Sequence, residues 1–416
     1  MLSRVLNFFT SLRLTVACLV CALVLVFVGT LAQVKLGLYT AQSEYFRNVF
    51  VYWQPAGSHW RIPVFPGGWL LGGLLLLNLL GAHAKRFEIS RKKIGIFMIH
   101  GGLILLLLGQ FFTEIFQVES AMRLEPDETK NYSEDFRKNE VVLIDTTDAK
   151  ADKVISIPES MVAKKGEIAA AGTPLSVRVK NYWPNSDLTR EEISGAVRSG
   201  ATAGIGLDLF VLPRAPVTTM DERDLPSAIV EVVSSKGSLG TWLVSSLSAA
   251  RQTFTYEGRN YTVGMRFRRY YVPFYITLLK FRNDLYRGTD IPKNYSSRIH
   301  LRNPVNGDDR EVLIYMNNPL RYAGQTFFQA GFDEKHPGVT ILQVVKNPAA
   351  PTPYISCSLM GLGLLTHFLM SLAAFFKRRK AQMKPPEGKS RKSTPARSGP
   401  EPALAGGSKN SKGRPA

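Results

Sequence analysis

Residues 94–113 read IGIFMIHGGLILLLLGQFFT. The run contains no Lys, Arg, Asp or Glu. As a helix rising 1.5 Å per residue it would reach about 30 Å, the thickness of a bilayer's hydrocarbon core. Residues 14–33, 67–84 and 355–376 pass the same test. One such stretch could be a buried helix of a soluble protein, but hardly four. The sequence therefore predicts an integral membrane α+β protein with four transmembrane helices, three N-terminal and one C-terminal. Arg4 and Arg13 resemble the charged start of a signal peptide, but the apolar core that follows is longer than a usual signal core. The first span is expected to be retained.

Charge orients the spans. The 416 residues include 52 Lys+Arg and 33 Asp+Glu, a net charge of +19. An excess of that size first suggests a nucleic-acid binder. Its placement argues otherwise. Arg4 and Arg13 precede the first span, and Lys85, Arg86, Arg91, Lys92 and Lys93 crowd the loop 85–93 against Glu88 alone. The tail 377–416 holds 12 basic and 2 acidic residues. These segments fall on one side if four helices cross in turn, and the positive-inside rule makes that side cytoplasmic. They lack interleaved aromatics, so no nucleic-acid partner is expected; the lipid bilayer is. Residues 1–13, 85–93 and 377–416, with both termini, are read as cytoplasmic. The tail is rich in Pro, Gly, Ser and Lys and is expected to be disordered.

Two segments remain outside. The loop 34–66 carries Tyr39, Tyr45, Phe46, Phe50, Tyr52, Trp53, Trp60 and Phe65, which suit a membrane interface or a platform for a flat ligand. Residues 114–354 form a large β-rich extracytoplasmic domain. Runs of β-branched and aromatic residues at 141–146, 175–179, 228–233, 254–256, 261–267, 274–279, 298–301, 311–315 and 339–345 read as strands. Turn signals such as Asn306-Gly307 separate them. The spacing suggests sandwich-like sheets. Only residues 190–198 hint at a helix. The domain contains no Cys, so packing must hold it.

Few residues offer chemistry. No Walker A loop, H-E-x-x-H, G-x-S-x-G or paired-carboxylate motif occurs. His100 and His367 lie well inside spans, where an ionisable group is costly and usually functional. Each suits ligation, proton handling or an interhelical hydrogen bond. Their depths differ by about one helical turn, which allows a shared site. His83, at the end of the second span, reads as an interfacial residue. Gly101 and Gly102 let a helix or a flat ligand come close, and Gly68-x-x-x-Gly72 suggests tight helix packing. Cys18 and Cys21 share a helix face; deep in lipid they suit apolar packing better than a redox pair.

Several stretches carry a family likeness: Leu12-Arg13-Leu14-Thr15 through Gly29-Thr30-Leu31-Ala32-Gln33, the run HGGLILLLLG from His100, and residues 281–301 with Tyr286-Arg287-Gly288-Thr289. The strongest is NPLRYAGQTFFQA at 318–330, followed by LQVVKNP at 342–348. With these, the chain resembles the ResB/Ccs1 family of System II cytochrome c maturation. The likeness runs in patches over 12–376.

The resemblance implies a protein of the bacterial cytoplasmic membrane that works with a CcsA-type membrane partner bearing a tryptophan-rich segment. Together they would move haem b outward and present it to apocytochrome c for thioether attachment. This chain would be at most one subunit of a cytochrome c synthetase. His100 would be an axial ligand of the haem iron, the other ligand coming from the partner, while His367 has no assigned family role and is a second candidate. The segment with Asn318, Pro319, Leu320, Arg321, Tyr322, Gly324 and Gln329 is expected to be a docking surface or a turn plus strand. Two alternatives stand beside this: a non-catalytic scaffold or receptor, and thiol-reductant transfer through Cys18 and Cys21 with thioredoxin-like partners.

Overall fold

The computed structural model describes residues 7–55, 60–85, 93–149, 151–219, 222–289, 292–333, 335–336 and 338–382. Most of the basic loop 85–93 and the tail beyond 382, with the disorder expected of it, lie outside these residues.

Four helices stand where the apolar runs predict them: α1 (Leu12–Leu36), α2 (Gly68–Lys85), α3 (Ile94–Phe116) and α4 (Thr352–Gln382). The count of four spans is not matched. Among the described residues, three helices are long and apolar enough to cross a membrane: α1, α3 and α4. Helix α2 has 18 residues and includes Asn78, His83 and Lys85, which shorten and dilute its apolar run.

Asn78 fastens α2 to α1. It is 5% exposed, and its amide donates to the Phe9 carbonyl at 2.7 Å and the Ser11 carbonyl at 3.1 Å. Its own carbonyl accepts from Thr15 Oγ1 at 2.7 Å. A polar side chain among apolar helices is tolerable because both ends of its amide are satisfied.

Helices α3 and α4 pack by a different device. Gly95, Gly102 and Gly109 recur every seven residues and so fall on one stripe of α3. A Cβ at Gly95 would lie 2.7 Å from His367 N and 2.8 Å from Gly363 O. At Gly102 it would meet Met360 Cγ at 2.5 Å, and at Gly109 Thr352 Cγ2 at 2.3 Å. The absence of side chains lets the two backbones approach closely at Gly95 and Gly102 and seats the Thr352 side chain against Gly109. The Gly68–Gly72 pair does not do this. Gly68 backs onto the Phe46 carbonyl, and Gly72 faces open space.

Between α1 and α2 the chain forms a small hairpin, β1 (Phe50–Trp53) with β2 (Ile62–Pro66). Val51 and Phe65 pair across it and pack with Cys18, Leu25 and Leu71, while Trp53, Trp60, Ile62 and Val64 stay exposed.

The region between α3 and α4 is β throughout. Two strands, β3 (Val118–Leu124) and β4 (Thr129–Asp145), follow α3 directly, and β5 (Lys153–Pro158) and β6 (Gly166–Ala169) come next. The middle of the chain gives β7 (Leu175–Trp183), β8 (Ser186–Thr189), β9 (Val197–Arg198), β10 (Phe210–Pro213), β11 (Ser227–Ser234) and β12 (Gly237–Ser245). The last part gives β13 (Gln252–Tyr256), β14 (Arg259–Leu285), β15 (Pro292–Asn303), β16 (Asp308–Tyr315), β17 (Leu320–Tyr322), β18 (Gln325–Phe332) and β19 (Thr340–Lys346). All nine predicted runs fall on strands.

The helix hinted at 190–198 does not form. Glu191 N bonds Thr189 Oγ1, Gly195 adopts φ +84°, and Val197–Arg198 pairs with β10 instead. A glycine turn and a strand partner override weak helical spacing.

Two cores result. The sheet β12-β11-β7-β6 packs face to face on β4, β5, β13 and the first half of β14. Trp242, Val177, Val230, Leu143, Ile157 and Val263 meet between the layers. This is the sandwich the strand spacing suggests. Bulges near Arg269 and Tyr271 then bend β14, and its second half belongs to another core. There the order β16-β15-β14-β4-β3-β19-β18-β17 curls over Phe274, Ile276, Leu301, Phe327 and Leu342.

The β domain grows out of the helices without a linker. Strands β3 and β19 pair antiparallel, Val118 opposite Lys346, where α3 ends and α4 is about to begin. Asn347 Nδ2 donates to Thr113 Oγ1 and to Gln117 Oε1, both at 3.2 Å, and its Oδ1 accepts from Ala349 N. The helical seam of α3 and α4 thus continues as a strand pair.

Candidate functional site

Helix geometry puts the glycine stripe of α3 on one side and His100 on the other. His100 is five residues from Gly95, so it points about 140° away from the α4 seam. It faces α2. There the His83 ring stands edge-on to the His100 ring, centroids 4.8 Å apart and planes at 80°. Phe97, one turn before His100, also meets the His83 ring, at 6.1 Å. The structure therefore brings His100 to His83 rather than to His367. The His367 backbone rests on Gly95, and its side chain is exposed.

The nitrogen Nδ1 of His100 is enclosed and has no hydrogen-bond partner among the described residues. A buried imidazole nitrogen left alone forfeits a hydrogen bond. It is also an atom placed to ligate. The chemistry fits haem: imidazole is a common axial ligand of haem iron, and the surrounding helices offer an apolar wall to a flat apolar ring.

The slot between α2 and α3 has a second aromatic pair at its other end. Trp69 and Phe111 meet edge to face, centroids 5.8 Å apart. On α2, Trp69, Gly72 and His83 lie within about 60° of one another around the axis, and on α3 His100 and Phe111 lie within about 20°. Helix α3 packs closely along α4 and only sparsely on α2. Gly72 and, beside His100, Gly101 face open space.

Other candidate residues are placed elsewhere. Cys18 is 4% exposed and, with Cys21, sits among Leu14, Ala22, Leu25 and Leu71, an apolar setting. Both are free thiols.

The Asn318–Gln329 segment is a β-hairpin inside the second core. Ala323 and Gly324, at φ +49° and +75°, make the two-residue turn between β17 and β18. Just before it, Asn318 N bonds the Tyr315 carbonyl and Pro319 leads into β17. Leu320 is buried with Phe327. The Tyr322 hydroxyl accepts from Asn303 Nδ2 at 2.9 Å and Asn306 Nδ2 at 3.1 Å. Gln329 accepts from Ser297 Oγ at 2.6 Å and donates to Thr340 Oγ1 at 2.9 Å. Arg321 and Asn318 remain exposed.

His83, read from the sequence as interfacial, is the residue whose ring the structure sets against His100. Its signal was available: α2 and α3 are joined by a short loop, so they run antiparallel and residues flanking that loop approach each other.

Comparison with known proteins gives two matches. A family model, described as the ResB-like family, matches residues 90–340, more than half of the chain and including His100. Protein NrfI of Wolinella succinogenes is 35% identical over 104 residues, a stretch covering 25% of this chain and only 11% of that protein.

Proposed function

From the premise that this chain belongs to the ResB-like family, we propose that it serves cytochrome c biogenesis as the ResB component of a System II complex. In this reading it works in the bacterial cytoplasmic membrane with both termini inside and the β domain outside. A CcsA-type protein is its partner. Together they move haem b across the membrane and present it to apocytochrome c, where the thioethers form.

Haem is the cargo, and it brings the iron that His100 would hold. The observation that carries the reading is the enclosed, unpartnered Nδ1 of His100 on a helix inside the family match. His100 would bind the iron from within the membrane, while the apolar walls of α2 and α3 exclude water and hold the ring. The basic segment 85–93 would attract the two propionates at the cytoplasmic mouth, since Lys and Arg there are the nearest counter-charges in the sequence.

The test is purification of the full chain with its partner and inspection of the haem absorbance. The band should be lost or much reduced in His100→Ala. A band unaffected by that change would sink the reading and leave a scaffold whose β domain binds partner or client.

A further inference from the structure

We propose that His83 is a second haem-iron ligand supplied by this same chain, so that α2 and α3 alone form a two-imidazole site. The inference rests on the haem reading of His100 and goes beyond it. A single intramembrane histidine needs its counterpart from another protein. Two histidines on neighbouring helices do not.

Three observations converge. The His83 and His100 rings are in direct contact across the α2–α3 slot, with centroids 4.8 Å apart. His100 Nδ1 has no hydrogen-bond partner among the described residues. The helices bearing the two rings are the loosely packed pair, with open space at Gly72 on the α2 side. A pair of helices that is not locked can part to admit a flat ring, and the two imidazoles, now in edge contact, would separate to take the iron between them.

Packing alone does not require two histidines here. An edge-on aromatic contact is made equally well by Phe, as Trp69 and Phe111 show at the other end of the slot. Placing two imidazoles at the inner end costs desolvation that two phenyl rings would avoid. Iron ligation gives that cost a purpose. It also gives the chain a way to hold haem before the partner's own ligand arrives: His83 can be displaced while His100 keeps the iron.

The experiment uses the full-length chain in detergent without its partner, titrated with ferric haem b and then reduced. The wild-type chain should give a low-spin, bis-imidazole spectrum. His83→Phe keeps the aromatic contact and removes the nitrogen. It should lose the low-spin spectrum and leave a high-spin, single-ligand haem, and added imidazole should restore the six-coordinate form. His83→Met should bring in the charge-transfer signature of thioether ligation.

A low-spin spectrum unchanged in His83→Phe overturns the proposal, as does a wild-type chain that binds haem only in the high-spin form or only with its partner. These results leave the role of His100 standing, provided that His100→Ala still abolishes the haem band of the complex. If that band survives, the haem reading itself fails.

Discussion

Helix α3 meets its two neighbours in opposite ways. Toward α4 it presents Gly95, Gly102 and Gly109, where the α4 backbone and the Met360 and Thr352 side chains fill the room a Cβ would need. Toward α2 it presents His100 and Phe111, which touch single rings on the far side and leave space between. The first side is built for rigidity. Its seam runs on into the β3–β19 strand pair and ties the domain to the membrane. The second side is loosely packed. One helix thereby anchors the fold on one face and carries the candidate site, His100, on the other.

The contrast breaks most visibly at Gly95. Leucine there would drive a Cβ against His367 N and Gly363 O, main-chain atoms that cannot swing aside. We expect Gly95→Leu to cost about 3 kcal/mol, the upper end for overpacking, read as a loss of monodisperse protein after heating in detergent. Gly102→Leu should cost a similar amount, because its Cβ would lie 2.9 Å from the Ser356 carbonyl as well as 2.5 Å from Met360 Cγ. If Gly95→Leu melts like the wild type, the seam does not hold the helices as described.

Asn78→Leu comes next. It removes the bonds to the Phe9 and Ser11 carbonyls and leaves Thr15 Oγ1 with only the longer bond to the Ser11 carbonyl, at 3.4 Å. Interhelical hydrogen bonds in membranes contribute roughly 0.5–2 kcal/mol, so the melting temperature should fall modestly. The haem signal should follow only as far as folded protein is lost. A fall in haem binding with no fall in stability would mean that α1 shapes the slot directly.

Much of this contrast could be read from the sequence, and the rest could not, for physical reasons. Apolar length alone located the four helices, three of which are long and apolar enough to cross a bilayer. Strand runs such as 228–233 and 261–267 were legible because both faces of a strand leave a mark on residue choice. The depth of His100 marked it as a candidate. Its partner was not legible from depth, because pairing depends on which face of α2 turns inward, and Asn78 settles that by binding α1 with the opposite side. The hairpin at Ala323-Gly324 carried two readings, a docking surface or a turn plus strand. The turn and strand form, and Leu320, Tyr322 and Gln329 spend their contacts inside the domain. Distinctive residues mark demanding geometry as readily as a binding site.

Gly72→Leu tests the open side without touching a histidine. A Cβ there meets nothing within 4 Å, so stability should stay within about 0.5 kcal/mol, as for other substitutions away from packed features. The side chain would instead reach into the slot, and haem bound by the complex should fall. Unchanged haem binding would place the ring outside the α2–α3 slot.

The smallest effect is expected at Gly101. It adjoins His100 in sequence and Gly102 in the seam, yet it faces neither α4 nor α2 closely, and a Cβ there meets nothing within 4 Å. Gly101→Ala should therefore change the melting temperature little, with any shift upward, since Ala favours a helix over Gly by about 1 kcal/mol in water. Haem binding should also be unchanged, because one methyl group leaves the slot open. Set beside Gly102→Leu and Gly72→Leu, this near-silent variant separates three uses of glycine in one small bundle: closing a seam, keeping a slot clear, and filling a position where nothing presses. A large loss in Gly101→Ala would mean that another surface, such as the partner's, lies against that face in the complex; the chain purified alone should then be indifferent to the same change.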